Sequence, residues 1–282
     1  MLVCSFSGCL GAGSSEGFVD NNGVKIHYVQ KNAGESNKPS LLFVPGLSMP
    51  GWIFEKQLDY FCSSYTVVAM DPRSQGKSSQ TTEGQYALAR AGDIKAVVEG
   101  LKMAPVVLIG WSISVPEIVA YIDHYGSEGI PGIVMIDGLV GLDMCSEHFK
   151  DTVDWIYLFQ IDRQKNTERF IRGLFKQSQS AEYIAELTKA SCITPTTTFV
   201  TLAYNTYSKD YRYVLKGIDK PTLVISCDGE YQNLMRKMSR SIPNSQFEIV
   251  DHAGHALFVD QPERFNELLE EFLAPLSKNS RK

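Results

Sequence analysis

The chain has 282 residues, of which 44% are hydrophobic and 21% charged, a balance that suits a folded globular body with a sizeable core. Its 27 basic and 32 acidic residues leave a net charge of −5 and are spread along the chain, so no basic stripe could track a phosphate backbone and a nucleic-acid partner is not expected. No run of 18 or more apolar residues occurs, which excludes a membrane-spanning helix on hydropathy.

Residues 1–17 are small, apolar and uncharged until Glu16 and read as a disordered leader or tether outside the fold. Within them Phe6-Ser7-Gly8-Cys9 resembles the lipobox of bacterial lipoproteins, which would make Cys9 a lipid anchor in the cell envelope. The absence of a preceding Lys or Arg and the short apolar stretch speak instead for a cytoplasmic protein with a plain tail. Both readings stay open. The six cysteines lack metal-ligand spacing, so free buried thiols are expected, with no metal site and no need for disulfide staples.

From Phe18 the chain alternates short β-branched runs with longer amphipathic stretches, the pattern of βαβ units and a mostly parallel sheet. Phe18 to Asp20 and Val24 to Val29, joined by Asn21-Asn22-Gly23, predict a hairpin at one edge of that sheet. Near-continuous apolar runs at Leu41 to Pro45, Tyr65 to Met70, Val106 to Gly110 and Gly132 to Ile136 predict central strands covered on both faces. Thr222 to Ser226 and Gln246 to Val250 resume the sheet near the end. Apolar residues at helical spacing mark helices over Ala87 to Leu101 and from Pro262 through Leu273, with Pro262 fitting a first helical turn. The interval 142–216 is rich in aromatics without a central-strand signal and predicts a helical cap. The expected organisation is therefore a leader (1–17), an α/β core (18–141 and 217–277), a cap insertion (142–216) and a tail (278–282).

Chemistry concentrates in two segments. In Val106-Val107-Leu108-Ile109-Gly110-Trp111-Ser112-Ile113-Ser114 an apolar strand runs into a serine and then into a helix, the context of a nucleophile elbow that lifts the hydroxyl clear of the sheet. Gly110 supplies the small residue two before Ser112; Ser114 stands where a second glycine is usual. A serine hydroxyl needs a base to take its proton. Of the five histidines, His27, His124 and His148 read as surface or packing residues. Asp251-His252-Ala253-Gly254-His255 follows a strand, bends at Gly254 and precedes a helix, which favours His255 as the base and leaves His252 as the weaker candidate.

These two segments, in this order, resemble the α/β-hydrolase family, and within it the serine esterases of non-haem chloroperoxidase type. The resemblance spans Phe18 to Leu276 and implies an α/β-hydrolase fold, with a mostly parallel central sheet flanked by helices and a helical cap. It implies that the backbone N–H groups of Leu47, in Phe43-Val44-Pro45-Gly46-Leu47, and of Ile113 form an oxyanion hole, with Pro45 in place of the family's usual histidine. Asp71-Pro72-Arg73-Ser74-Gln75-Gly76-Lys77-Ser78 resembles the family's Asp-x-Arg-Gly-x-Gly-x-Ser loop, whose role is structural. For the acid that orients His255, the order of expectation is Glu230, then Asp228, both after the strand at Thr222, then Asp137 at the end of Gly132 to Ile136.

The implied activity is hydrolysis of an ester or related acyl bond through an acyl-enzyme, without a cofactor. Perhydrolysis or lactone hydrolysis could use the same site, and a degenerate hydrolase that only binds ligand is a reading from another class. The aromatic cap leans toward a small-molecule substrate with an apolar acyl group; oligomeric state is unreadable.

Overall fold

A computed structural model describes residues 13–32 and 38–277; Cys4, Cys9 and the question of a lipid anchor lie outside the described residues. Eight strands form one sheet in the order β1-β2-β4-β3-β5-β6-β7-β8. They are β1 (Gly13–Asn21), β2 (Val24–Asn32), β3 (Ser40–Val44), β4 (Thr66–Asp71), β5 (Val106–Trp111), β6 (Ile133–Ile136), β7 (Thr222–Cys227) and β8 (Ser245–Val250). Strands β3 to β8 run parallel, while β1 and β2 form the antiparallel edge hairpin. This is the α/β-hydrolase fold, and every strand read from an apolar run falls within a residue or two of its expected place.

The hairpin is longer than its side chains announce. β1 begins at Gly13, inside the segment read as a disordered leader, because Gly13 to Gly17 continue the ladder opposite Asn32 to Tyr28. A backbone ladder needs no apolar side chain, and Glu16 is held there by Lys77 at 2.7 Å and His27 at 3.3 Å.

Successive residues of the buried strands point to opposite faces, and each face builds its own core. Leu41, Phe43, Val67, Ala69, Val107 and Ile109 pack with Leu58 and Phe61 of α1 (Glu55–Phe61) and Phe265, Leu269 and Phe272 of α10 (Pro262–Leu276). Leu42, Val44, Val68, Met70 and Leu108 pack with α2 (Ala87–Gly100), α3 (Ser114–Tyr125) and α8 (Gln232–Ser239). The short α9 (Leu257–Asp260) leads into α10, whose first residue is Pro262, as expected where no helical N–H is needed.

Between β6 and β7 lies the helical insert: α4 (Glu147–Ile161), α5 (Arg163–Gly173), α6 (Ala181–Ser191) and α7 (Thr196–Ser208). Ser146, Asp162 and Ser180 cap the first three by accepting from Phe149, Lys165 and Tyr183 N–H. Its apolar faces meet the sheet's upper rim, where Ile156, Phe159, Phe199 and Leu202 pack on Leu47 and Ile113. No described helix is long and apolar enough to cross a membrane. Cys145, Cys192 and Cys227 carry free thiols, Cys145 exposed and the other two half-buried, whereas Cys62 is disulfide-bonded, so free buried thiols hold only in part.

Candidate active site

At the C-terminal end of β5 the chain reverses into α3 within three residues, and the turn forces Ser112 to φ +60°, a left-handed conformation that costs a non-glycine residue about 1–2 kcal/mol. The turn is crowded. A Cβ at Gly110 would lie 2.6 Å from Ile118 Cδ1 and 3.0 Å from Ser114 O, and one at Gly138 would lie 2.3 Å from Ser112 O. Ser114, where a second glycine is usual, is accommodated by turning its hydroxyl away to donate to Pro45 O at 2.5 Å. Ser112 N–H donates to Ile136 O at 2.8 Å, which fixes the turn against β6.

His255 lies on the loop after β8. Trp111 Nε1–H donates to its carbonyl at 2.9 Å and stacks obliquely on its ring at a centroid distance of 5.2 Å. Asp260 braces the same loop, accepting from Gly254 N–H at 2.8 Å and Lys176 N–H at 2.7 Å. Gly254 is needed because a Cβ there would approach Leu174 O to 2.6 Å. His252 is exposed and takes no part in lining the cavity; His27 is buried and bonded to Asp71 at 2.8 Å, a packing role.

The carboxylate that meets the imidazole is Asp137, the third of the expected three, with Oδ2 2.6 Å from His255 Nδ1. This corrects the ranking of Glu230 and Asp228. Glu230 lines the cavity beside Tyr231 and Asp228 lies 4.0 Å from Lys176, both exposed and neither bonded to His255. Asp137 prevails because the chain leaves β6 at φ +42°, pinned by its own N–H on Ile225 O at 2.8 Å, which turns the side chain into the crevice between β6 and β7. There Oδ1 accepts Cys227 N–H at 3.0 Å and Oδ2 also accepts the Cys227 thiol at 3.4 Å. Burial alone would raise the Asp137 carboxyl, but the hydrogen bond and charge of His255, with the two Cys227 donors, hold it below its ordinary value. The same burial and the Asp137 charge push the Cys227 thiol up to about 12.

Ser112 and His255 face one cavity of about 560 Å³ and also border a smaller chamber of about 330 Å³. No hydrogen bond joins the serine hydroxyl to the ring in this conformation, a common state of unliganded acid–base sites. Trp155, Leu158, Phe159, Phe170, Leu139 and Leu142 make much of the larger chamber apolar, with Asn166, Arg169 and Glu230 among its polar members. Leu47 and Ile113 flank Ser112, and neither N–H has an acceptor among the described residues. Among the described residues no cluster of His, Cys, Asp and Glu could hold a metal ion.

Beneath the site, Asp71 accepts Gly51 N–H at 2.6 Å and Lys77 N–H at 2.8 Å, and Arg73 makes a two-toothed pair with Asp93 at 2.7 Å, in keeping with the structural role expected of that loop. Trp111, Cys227 and Asp260, which hold the loops around the site, and the buried Gln75 carry no motif of their own. The only sequence signal for Gln75 was its place in the Asp71 to Ser78 loop.

The sequence model described as "Alpha/beta hydrolase family" matches residues 41–268. A bifunctional esterase/perhydrolase of Acinetobacter calcoaceticus is 29% identical over 131 residues, covering 46% of this chain and 47% of that one. Among solved structures, a bromoperoxidase from Bacillus anthracis superposes with a TM-score of 0.84 at 23% identity, covering 92% of this chain and 100% of that one. An esterase from Exiguobacterium antarcticum superposes with a TM-score of 0.83 at 21% identity, covering 91% and 98%. At such identities these two structures speak to the fold alone.

Proposed function

The chain belongs to the alpha/beta hydrolase family, and from that premise we propose that it cleaves carboxylic esters through an acyl-enzyme formed on Ser112. The observation that carries this reading is the convergence of Ser112, His255 and Asp137 on one cavity, with the 2.6 Å His255–Asp137 hydrogen bond already made.

In the first half-reaction Ser112 Oγ attacks the acyl carbon and its proton passes to His255 Nε2. Asp137 keeps the proton of Nδ1 on the imidazole, so that Nε2 is the free base, and its negative charge stabilises the imidazolium. The carbonyl oxygen, now anionic, accepts from the N–H groups of Leu47 and Ile113. His255 then returns the proton to the leaving alkoxide. Water, deprotonated by His255, attacks the acyl-enzyme, and as the acyl–Oγ bond breaks His255 returns that proton to Ser112 Oγ and the acid leaves. The two chambers that meet at Ser112 suit the two halves of an ester, and the aromatic lining of the larger one favours an apolar acyl group.

Hydrogen peroxide in place of water would make the same acyl-enzyme a source of peracid, a reading favoured by the likeness to the Acinetobacter calcoaceticus esterase/perhydrolase. A fluorophosphonate probe should label the wild type at Ser112, located by peptide mass mapping, and should fail to label Ser112→Ala. Nitrophenyl esters of rising acyl length then give the chain-length profile. Absence of labelling and of ester turnover in correctly folded wild type would overturn the reading in favour of a ligand-binding protein.

A further inference from the structure

We propose that Gln75 is a positioning residue for the oxyanion site, holding the Gly46–Met49 turn so that Leu47 N–H faces the reacting carbonyl, and that the Ser48 hydroxyl extends this hold to the cap. The inference rests on the reading of Ser112 as nucleophile. Gln75 is 0% exposed, and its amide is saturated. Nε2 donates to Gly46 O at 3.0 Å and to Met49 O at 2.8 Å; Oε1 accepts Ser48 N–H at 3.0 Å and Arg90 Nη2–H at 3.0 Å. Three of these four bonds end on backbone groups on either side of Leu47, one before it and two after.

A turn of this kind does not hold itself. Ser48 sits at φ +55°, and the turn's own backbone bond is Met49 N–H to Gly46 O at 3.1 Å. Gln75 is in turn aimed by Arg90, which donates to Glu117 at 2.5 Å and to Arg73 O at 3.1 Å. Arg90 and Glu117 are 0% and 1% exposed, and Glu117 belongs to α3, the helix that Ser112 leads into. A buried line of charged and polar groups therefore runs from the helix that begins beside one oxyanion donor, Ile113, to the turn that carries the other. A buried ion pair of this kind contributes little net stability, which is consistent with a role in fixing geometry.

From the far side, Ser48 Oγ pairs with Ser191 Oγ of α6 at 2.6 Å, and Thr194 Oγ1–H donates to Ser74 O at 2.8 Å. The Leu47 side chain lies beneath Ile156, Phe159 and Phe199 of the cap. The turn is thus clamped between Gln75 below and the cap above, and Leu47 N–H has little freedom to swing.

The test compares wild type with Gln75→Leu and Ser48→Ala on a nitrophenyl ester and on an alkyl boronic acid, which forms a tetrahedral anionic adduct with the serine. Misplacing one donor should lower kcat for Gln75→Leu by about tenfold to a hundredfold with KM within about twofold, since oxyanion contacts act on the transition state. Boronate affinity should fall in parallel. Ser48→Ala, which keeps every Gln75 bond and loses only the cap tie, should lose about threefold to tenfold in the same two readouts, a partial displacement of the same donor. A purely structural role would lower the melting temperature and leave kcat and boronate affinity unchanged, and that result in either folded variant overturns the proposal. If Gln75→Leu does not fold, Ser48→Ala decides alone. Inactive wild type would sink the hydrolase reading itself, whereas active wild type with unaltered variants would sink only the role of Gln75 and Ser48.

Discussion

Replacing Asp137 by asparagine reverses the proton arrangement on His255, and the structure dictates which way the new amide turns. Oδ1 of Asp137 accepts Cys227 N–H at 3.0 Å, a backbone donor that cannot rotate away, so in Asp137→Asn the amide oxygen stays there and the NH2 faces His255 Nδ1. Nδ1 must then accept, the ring proton moves to Nε2, and the nitrogen proposed to take the Ser112 proton is already occupied. Losing a charge-assisted hydrogen bond alone is worth about 1.5–3 kcal/mol. The wrong tautomer and the unpaired imidazolium add to it, and an Asp-to-Asn change in a Ser-His-Asp constellation typically costs about 10⁴ in kcat, or about 5.5 kcal/mol. The assay is steady-state hydrolysis of a short nitrophenyl ester. Asp228→Asn, whose parent does not touch His255, should stay within about twofold of wild type, and Glu230→Gln, whose parent lines the cavity without touching His255, should keep kcat within about twofold and act on KM alone. If Asp137→Asn kept a tenth of the activity while Glu230→Gln lost most of it, the assignment of the acid would be refuted.

Gly138→Ala would put a methyl group 2.3 Å from Ser112 O, and neither backbone can yield without moving the elbow, so a loss of at least about 2 kcal/mol is expected from urea midpoints, together with most of the activity. Acid should weaken the fold through Asp137. Its folded value lies below its unfolded one, so its contribution is whole above the ordinary carboxylate range, erodes as pH falls into that range, and is gone below the folded value. Urea midpoints between pH 7 and 3 should fall less steeply for Asp137→Asn than for wild type; equal slopes would show that the group is not depressed.

The fold was legible because its central strands are covered on both faces and so read as unbroken apolar runs, and because Ser112 and His255 each sit in a recognisable strand–turn context. The start of β1 was not legible, since Gly13, Ser14 and Ser15 pair through backbone alone. Nor was the acid. Both β6 and β7 are followed by carboxylates, and which one reaches His255 depends on sheet order, on the left-handed backbone of Asp137 and on the donors of Cys227. None of these leaves a mark on residue spacing. Gln75 was hidden for a related reason: a polar residue in a Gly- and Ser-rich loop reads as solvent-facing, and only the folded chain reveals that its amide has no contact with water.

Backbone strain is concentrated at the strand ends around the candidate site. Of the seven described non-glycine residues with positive φ, Asn22 belongs to the hairpin turn and Lys102 follows α2. The other five, Ser48, Ser74, Ser112, Asp137 and His252, follow the C-terminal ends of β3, β4, β5, β6 and β8, and of these Ser112 and Asp137 line the cavity. Each costs on the order of 1–3 kcal/mol, which the two cores must offset. Ser112 offers the cleanest measurement, because its hydroxyl makes no hydrogen bond to the described residues in this conformation. Ser112→Gly removes about 1–2 kcal/mol of left-handed strain and adds about 0.5–1 kcal/mol of unfolded-state entropy, whereas Ser112→Ala keeps the strain. The glycine variant should therefore equal or exceed the alanine variant in stability by up to about 1.5 kcal/mol, read from urea midpoints at constant slope. A glycine variant clearly less stable than the alanine one would mean that the elbow is relaxed, and that its shape comes from close packing around Gly110 and Gly138 with no strain stored at Ser112.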